Sequence, residues 1–398
     1  MTDGADLVVV GAGTLGGWAS VFARAEGLGR VVVIDRGSAG MGASSRAAGI
    51  VRAQGGTPAT VALGRWSIDF YRSQAAAYGT DSGFIEHGYL VLAVSEDDER
   101  AGRERVAMQH TEGLTDVRWL DPAEAVAMVS TLAPGGHRGG SFRAADGRID
   151  PPRNVRAYSL AMQRAGVELR EGVTFTGLHT TAGGRRVTGV ETDSGVIEAE
   201  RVLLTGGPSL RSVGERAGLR IPVGAARHTV AVLEPHPELA LTPMVFDLAA
   251  GLYWRPEEGG LLFGWSDPDD EPGEAREVDW AAYERYRDRL AAFVPATRGL
   301  GLRRIWAATI DYTPDHTPIV GPAIRPDGSR IEGVHLVAAG GHGMMWGPGL
   351  ARAAVDLIVR GRTDVVDVTD LGLDRFDADG RSRLATDPVT LPYPVGSA

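Results

Sequence analysis

Three glycine-rich stretches hold the residues whose types and spacing could do chemistry. In the first, DLVVVGAGTLGGW, three glycines stand between an apolar run and a helix-compatible segment, and RVVVIDR follows. Gly11 permits a sharp turn, Gly13 lets backbone approach a pyrophosphate, and Gly16 lets the helix lie close on a sheet. Amide N–H groups at the start of that helix attract phosphate. Asp35, closing the second apolar run, can accept hydrogen bonds from a ribose diol. The second stretch, Gly42-Ala43-Ser44-Ser45-Arg46, offers two hydroxyls and a guanidinium that can grip a pyrophosphate bidentately. The third runs from Gly340 to Gly349 and carries His342, Met344, Met345 and Trp346. It too follows an apolar strand and precedes a helix, whose positive end suits a flat anionic group. The first stretch points to a dinucleotide and leaves open which one.

The elements that must position these loops alternate between two textures. An α/β pattern covers the start, resumes from about 150 to 215, and returns at the last strand–loop–helix. Residues 59–78 read as an amphipathic helix, and SEDDERAGRERVAMQHTEG as a helix with a solvated charged face. Asp121-Pro122 and Asp150-Pro151 are helix starts. FIEHGYLVLAVS reads as a strand pair turning at Gly88, residues 173–199 as a meander with a turn at Gly183-Gly184, and Glu257–Gly260 as a hairpin turn. HTVAVLEP, LYWRPEEGGLLFGW and LRRIWAATIDY are β-rich with aromatics, and residues 278–295 form an amphipathic helix. The expected fold is therefore α/β with an α+β second domain. Residues 1–85, 146–215 and 315–365 form a Rossmann-like dinucleotide domain, and 86–145 with 216–314 an inserted, mostly antiparallel substrate domain. Residues 366–398 are a tail expected to wrap the surface.

Composition narrows the function further. The 398 residues suffice for two cores. A net charge of −10 argues against nucleic acid or an anionic membrane as partner. With no cysteine, disulfides, thiolate metal sites, a cysteine nucleophile and a cysteinyl cofactor link are excluded. The first residues lack a basic region and cleavage site, and no apolar run is long enough to span a bilayer, so a cytoplasmic protein is expected. The histidines show no paired ligand spacing, so no metal site is expected. His316, in TPDHTPIVGP, reads as structural.

The order GAGTLGG, IDR, GASSRAAGIVR, GRIDP, LLTGG, LYWRPEEGGLLFGW, DYTPDHTPIVGP and AAGGHGMMWGPG resembles the D-amino-acid oxidase-like FAD-dependent oxidoreductases. Within them it is most similar to the branch of sarcosine oxidases, glycine oxidases and the β subunits of sarcosine oxidase and dye-linked proline dehydrogenase. The resemblance implies an FAD domain of glutathione-reductase type. It implies oxidation of the C–N bond of an amino acid or N-substituted amino acid to an imine, by hydride transfer to FAD. It assigns the pyrophosphate to Gly11, Gly13, Thr14, Leu15 and Gly16, and the adenosine ribose to Asp35 and the adjoining Arg36. Ser44, Ser45, Arg46 and Gly49 would line the path to the flavin, Val173 would meet the adenine, and Thr205 and Gly206 would close over the cofactor. Gly341, His342, Gly343, Met344 and Met345 would lie along the flavin ring. Arg52 matches an arginine near the substrate carboxylate; Tyr253 and Arg255 would face the same cleft, and His342 is a further candidate for a direct role.

Two departures from that resemblance bear on the electron acceptor and the substrate. Leu262 stands where monomeric sarcosine oxidases have an oxygen-activating lysine, and Met345 where they have a second carboxylate ligand. Leu262 thus implies slow reaction of the reduced flavin with oxygen, and the absence of cysteine, through which those enzymes attach FAD, implies that FAD is non-covalent unless a histidine is used. The expected partners are a small amine or amino-acid substrate and either oxygen or another electron acceptor, with homo-oligomer and heteromeric electron-transfer partner both open. Two alternatives stand beside this reading: a flavin subunit of a heteromeric amine or proline dehydrogenase, and an NAD-dependent Rossmann dehydrogenase.

Overall fold

The computed structural model describes residues 4–240 and 242–393. The expectation about the first residues falls partly on 1–3, outside them. Strand Leu7–Val10 is buried on both faces, as a run of valines without polar alternation requires. It lies at the middle of a six-stranded sheet ordered Ile319–Ile324, Arg330–Ala338, Val202–Leu204, Leu7–Val10, Val31–Asp35, Glu168–Glu171. All neighbours are parallel except the first pair. Leu7, Val9, Val31 and Val33 pack against Trp18 and Phe22 of helix Thr14–Ala25 and against helix Gly347–Arg360. Val8, Val10, Val32 and Ile34 pack the opposite way, under the meander Phe175–Thr180, Val187–Thr192 and Gly195–Glu198.

The second layer is an eight-stranded sheet. Its order is Leu302–Tyr312, Gly224–Leu233, Gly260–Trp265, Leu252–Glu257, Met244–Asp247, Tyr89–Leu92, Gly140–Arg143, Arg118–Leu120. Strand Met244–Asp247 runs parallel to Tyr89–Leu92, and the other pairings are antiparallel. Period two sorts its side chains. Leu261, Phe263 and Trp265 meet Tyr283, Tyr286 and Leu290 of helix Trp280–Phe293. Leu262, Tyr253, Phe246 and Tyr89 point the other way, toward the first sheet.

Most local expectations match these elements. Asp121 and Asp150 cap their helices, with proline at the start of each. Glu258 and Gly259 take positive φ of 50° and 78° in the hairpin turn. Two expectations need correction. The chain does turn at Gly88 (φ 83°), but Ile85–Glu86 and Tyr89–Leu92 do not pair. Ile85–Glu86 joins Gly147–Arg148 in a small sheet between the layers, because the chain is passing from one layer to the other. The segment after Thr363 does more than wrap the surface. Arg375 is buried and forks onto Asp315, Nε to Oδ2 at 2.7 Å and NH2 to Oδ1 at 3.1 Å. Val389, Thr390 and Tyr393 are then buried against both layers, Val389 in an apolar cluster, Thr390 bonded to His316 and Tyr393 stacked on Tyr312. Residues 394–398 of the expected tail lie outside the described residues. No described helix is long and apolar enough to cross a membrane.

Removing one partner of a buried ion pair strands the other charge, at a cost of about 3–5 kcal/mol. Arg375→Met should destabilise the protein by that order in urea unfolding, whereas the exposed Arg381→Met should change it by less than about 1 kcal/mol.

Candidate active site

A cleft of about 600 Å³ opens between the two layers, and the three glycine-rich stretches all border it. At one end lies the turn after strand Leu7–Val10. Gly11 takes φ 107°, and a Cβ on Gly16 would fall 1.9 Å from the Gly11 carbonyl oxygen. Helix Thr14–Ala25 can therefore sit directly on the turn. Its N-cap, Gly13, supplies no side-chain oxygen, and helix Gly347–Arg360 likewise begins at the cleft without a side-chain cap. The helices starting at Pro58, Glu96, Pro122, Pro151 and Trp280 all have one. The first helix leaves its Leu15 and Gly16 amides to whatever fills the cleft, whereas the second leaves only that of Gly347, because Pro348 has no N–H and the Gly349 amide goes to Ser67 Oγ at 3.2 Å. Asp35 is fixed at the rim, its carboxylate accepting from Ala12 N and Gly37 N, each at 2.8 Å. Ser44 Oγ accepts the Thr14 amide at 3.0 Å and so ties the second stretch to the first.

At the other end the third stretch forms a tight loop. Asp311 Oδ2 accepts the Gly340 amide at 3.0 Å, and Tyr71 OH donates to the Met344 carbonyl at 2.7 Å. His342 Nδ1 meets the Gly340 carbonyl at 3.0 Å and so must carry its proton there, and the ring stacks on Trp346 at 4.1 Å. Burial, and then the Arg52 cation, push the His342 pKa down to about 3. Across the cleft, His228 Nε2 lies 2.6 Å from Tyr253 OH and its Nδ1 lies 3.0 Å from Ser266 Oγ. Burial holds His228 down to about 4 and pushes the Tyr253 phenol up. Gly264 makes room for the pair, because a Cβ there would fall 2.1 Å from Tyr253 OH. Burial also raises the Asp311 carboxyl, against the lowering effect of the loop amides around it.

Arg52 is 2% exposed on the cleft wall. Its guanidinium donates to the carbonyls of Gln54 and Val389 and lies 5.8 Å over the Tyr89 ring. Its Nε has no partner, and among the described residues no carboxylate forms an ion pair with it.

The cleft gathers most of the residues singled out from the sequence. Gly11, Gly13, Thr14, Leu15, Asp35, Arg36, Ser44, Gly49, Thr205 and Gly206 line one part of it. Gly341, His342, Gly343, Met344, Met345, Arg52 and Tyr253 line the rest. Five are not brought to the wall. Gly16 lies under the turn. Ser45 donates its amide to Gly40 O at 3.0 Å within its own loop. The Arg46 guanidinium folds back on the Met41 and Gly42 carbonyls. Val173 is bound through its amide to Asp35 O at 2.9 Å and packs under the meander. Arg255 shares a strand face with Tyr253 but is consumed by the Ala48 carbonyl and the Glu257 carboxylate. Sequence reasoning missed His228, Tyr89, Phe246, Asp311 and Leu391, which also line the cleft. Period two in HTVAVL could have put His228 on one face with Val230 and Val232, but nothing local says which face looks inward.

Comparison with known proteins agrees with this architecture. A family model described as FAD dependent oxidoreductase (DAO) matches residues 6–357. The chain is 28% identical to 4-methylaminobutanoate oxidase (formaldehyde-forming) of Paenarthrobacter nicotinovorans, over 94% of this chain and 46% of that protein. It thus spans about half the length of that relative. The fold is similar to L-proline dehydrogenase from P. horikoshii, with TM-score 0.85, 22% identity, and 94% and 97% of the two chains covered. It is also similar to glycine oxidase from Geobacillus kaustophilus, with TM-score 0.78, 26% identity, and 93% and 98% covered.

His228 and His342 make stability depend on pH. Both stay neutral when folded down to about 4 and 3, whereas an unfolded histidine protonates near 6.5. Over that interval the unfolded state holds more protons. Stability present above pH 6.5 is therefore lost on acidification, by up to about 1.4 kcal/mol per pH unit for each ring. Urea midpoints at pH 7, 6 and 5 should fall progressively, and His228→Gln should flatten the decline.

Proposed function

The chain belongs to the FAD-dependent oxidoreductase family, and from that premise we propose that it oxidises the C–N bond of an amino acid or N-substituted amino acid. FAD is its cofactor, and the residues present fit it. The start of helix Thr14–Ala25 and the glycine turn before it offer amide donors to the pyrophosphate, and the positive end of helix Gly347–Arg360, with its Gly347 amide, suits the anionic side of a flavin. Asp35 stands where the adenosine ribose would be held. The NAD-dependent alternative falls with the family assignment. When bound, FAD supplies the hydride acceptor, and the product of the proposed reaction is an imine.

The observation that carries the substrate reading is Arg52. A buried cation on the cleft wall, with no carboxylate partner and with its Nε–H unpartnered, calls for an anion. The carboxylate of an amino acid supplies it through charge-assisted hydrogen bonds. Anchored there, the substrate meets the loop Gly341–Met345 on one side and the Tyr253–His228 pair on the other, and its amine and α-carbon are oriented between them. Names of related proteins support this substrate class, being oxidases or dehydrogenases of amino acids and an N-methylated amino acid. We take the parallel-sheet layer as the cofactor domain and the larger sheet as the substrate domain, divided as the sequence pattern suggests.

Arg52→Met should raise KM for amino acids about a hundredfold, the equivalent of about 3 kcal/mol for a truncated buried charge contact. It should leave bound FAD nearly unchanged and alter the KM of simple amines far less. Anaerobic bleaching of the flavin absorbance checks this, and equal effects on both substrate classes would remove the carboxylate role. Leu262 is buried in an apolar cluster beside Val230 and Tyr253, which puts no cation in the place of an oxygen-activating lysine. The substrate-reduced protein should therefore pass electrons to an artificial dye faster than to oxygen. Rapid release of hydrogen peroxide would contradict that expectation.

A further inference from the structure

The segment Asp387–Tyr393 reaches the cleft at Leu391 and touches both layers. Asp387 donates its amide to Asp315 O at 2.9 Å and accepts the Thr60 hydroxyl at 2.9 Å. The Val389 carbonyl accepts from Arg52, and Thr390 Oγ1 is hydrogen-bonded to His316 Nδ1. Tyr393 stacks on Tyr312 at 5.0 Å and reaches the cofactor loop, where a Cβ on Gly341 would fall 2.0 Å from its hydroxyl. Between these anchors Leu391 lies on the cleft wall. It packs both against the cluster of Tyr89, Phe246 and Tyr253 and against that of Tyr312 and Tyr393.

We propose that this strap sets the substrate's side-chain size, with Leu391 as the specificity-determining residue, and that the preferred substrates carry a medium-sized apolar substituent. The proposal rests on the reading of Arg52 as the carboxylate anchor. Two residues of chain span at most about 7 Å, so Val389, which holds Arg52, and Leu391 are tied at short range. A carboxylate on Arg52 thus places the substituent of the same molecule against Leu391. The lobe it meets is formed by Leu391, Phe246 and the rings of Tyr89 and Tyr253. The phenol of Tyr253 is taken by His228 and that of Tyr89 lies by Arg52, so both tyrosines present ring carbons. Such walls favour CH₂ and CH₃ groups and reject a second charge. The strap is itself pinned by Asp387, Thr390 and Tyr393, so it limits size as a wall does.

The test uses the FAD-loaded protein and straight-chain carboxylates from acetate to octanoate, which are not oxidised. Dissociation constants are read from perturbation of the flavin absorbance. In the unaltered protein, affinity should rise by about fourfold per added methylene until the lobe is full, then fall. Leu391→Ala should move the optimum to longer chains and Leu391→Trp to shorter ones, with acetate binding changed less than about threefold in either. Leu391→Val, a milder change, should move the optimum in the same direction as alanine, and FAD content and melting temperature report folding for each variant. Superposable length profiles in all four proteins would overturn the proposal while leaving the carboxylate anchor standing. A parallel loss at every length, acetate included, would also overturn it, since the strap would then only prop Arg52. Absence of carboxylate binding in the unaltered protein would overturn both readings.

Discussion

A guanidinium buried without a carboxylate must be held by neutral oxygens, and much of the architecture around the cleft follows from how Arg52 is held. One carbonyl comes from Gln54, beside the small sheet between the layers, and the other from Val389, more than three hundred residues later. Gln54 in turn donates to Tyr89 O at 3.0 Å and to Asp146 Oδ2 at 3.1 Å. Asp146, fully buried, accepts from Ala53 N and from Arg143, and Arg143 reaches Asp116 at the surface. Charge therefore alternates from cleft to solvent: cation, neutral amide, anion, cation, anion. The anion nearest Arg52 is held one amide away and is itself neutralised by Arg143. That leaves the cleft side of Arg52 electrically unsatisfied without leaving the interior as a whole unbalanced.

This arrangement needs both layers. The loop carrying Arg52 and Gln54 leaves the parallel sheet, Tyr89 and Arg143 belong to the larger sheet, and Val389 belongs to the strap. Separating the layers would break the polar chain at several points and expose apolar faces on both. The cleft is thus a seam between two cores that bury their outer faces independently, one under Trp18 and Phe22 and the other under Tyr283 and Tyr286. Its inner surfaces are left to the cofactor, the substrate and the strap.

The sequence made the local devices legible and concealed the non-local ones. The strand–glycine turn–helix at residue 7, the proline-led caps at Asp121 and Asp150, and the turn at Glu258-Gly259 each announce themselves within a few residues, because steric and capping rules act over that range. The glycine-rich loops that border the cleft were legible for the same reason. His228 was not, since its partner Ser266 lies just past the end of the neighbouring strand and Tyr253 two strands away, and the register joining them is set by the whole sheet. Arg255 was misplaced because a strand face fixes direction but not where a long side chain ends. The strap was hidden by composition. TDPVTLPYP reads as loop, and only the assembled cleft shows that Val389, Leu391 and Tyr393 have apolar surface to meet.

The two histidines also bear on a step the proposed reaction cannot avoid. Hydride leaves the carbon beside nitrogen only when the nitrogen has a lone pair to stabilise the resulting cation, so the bound amine must be neutral. In water an unperturbed amine is protonated at neutral pH. The forces that keep His342 neutral are burial and the nearby Arg52 cation. Both act on any amine placed in the same part of the cleft, and both disfavour its protonated form. Asp311, the acid on the cofactor-loop side, is committed to the Gly340 amide. Met345 adds no charge where a second cation would otherwise stand. A single arginine can then do two things at once: its charge attracts the carboxylate, and the same charge, undiluted by solvent, favours the neutral amine a few atoms away. No dedicated base is required under this account, because burial and the Arg52 charge at that end of the cleft favour loss of the proton to solvent on entry.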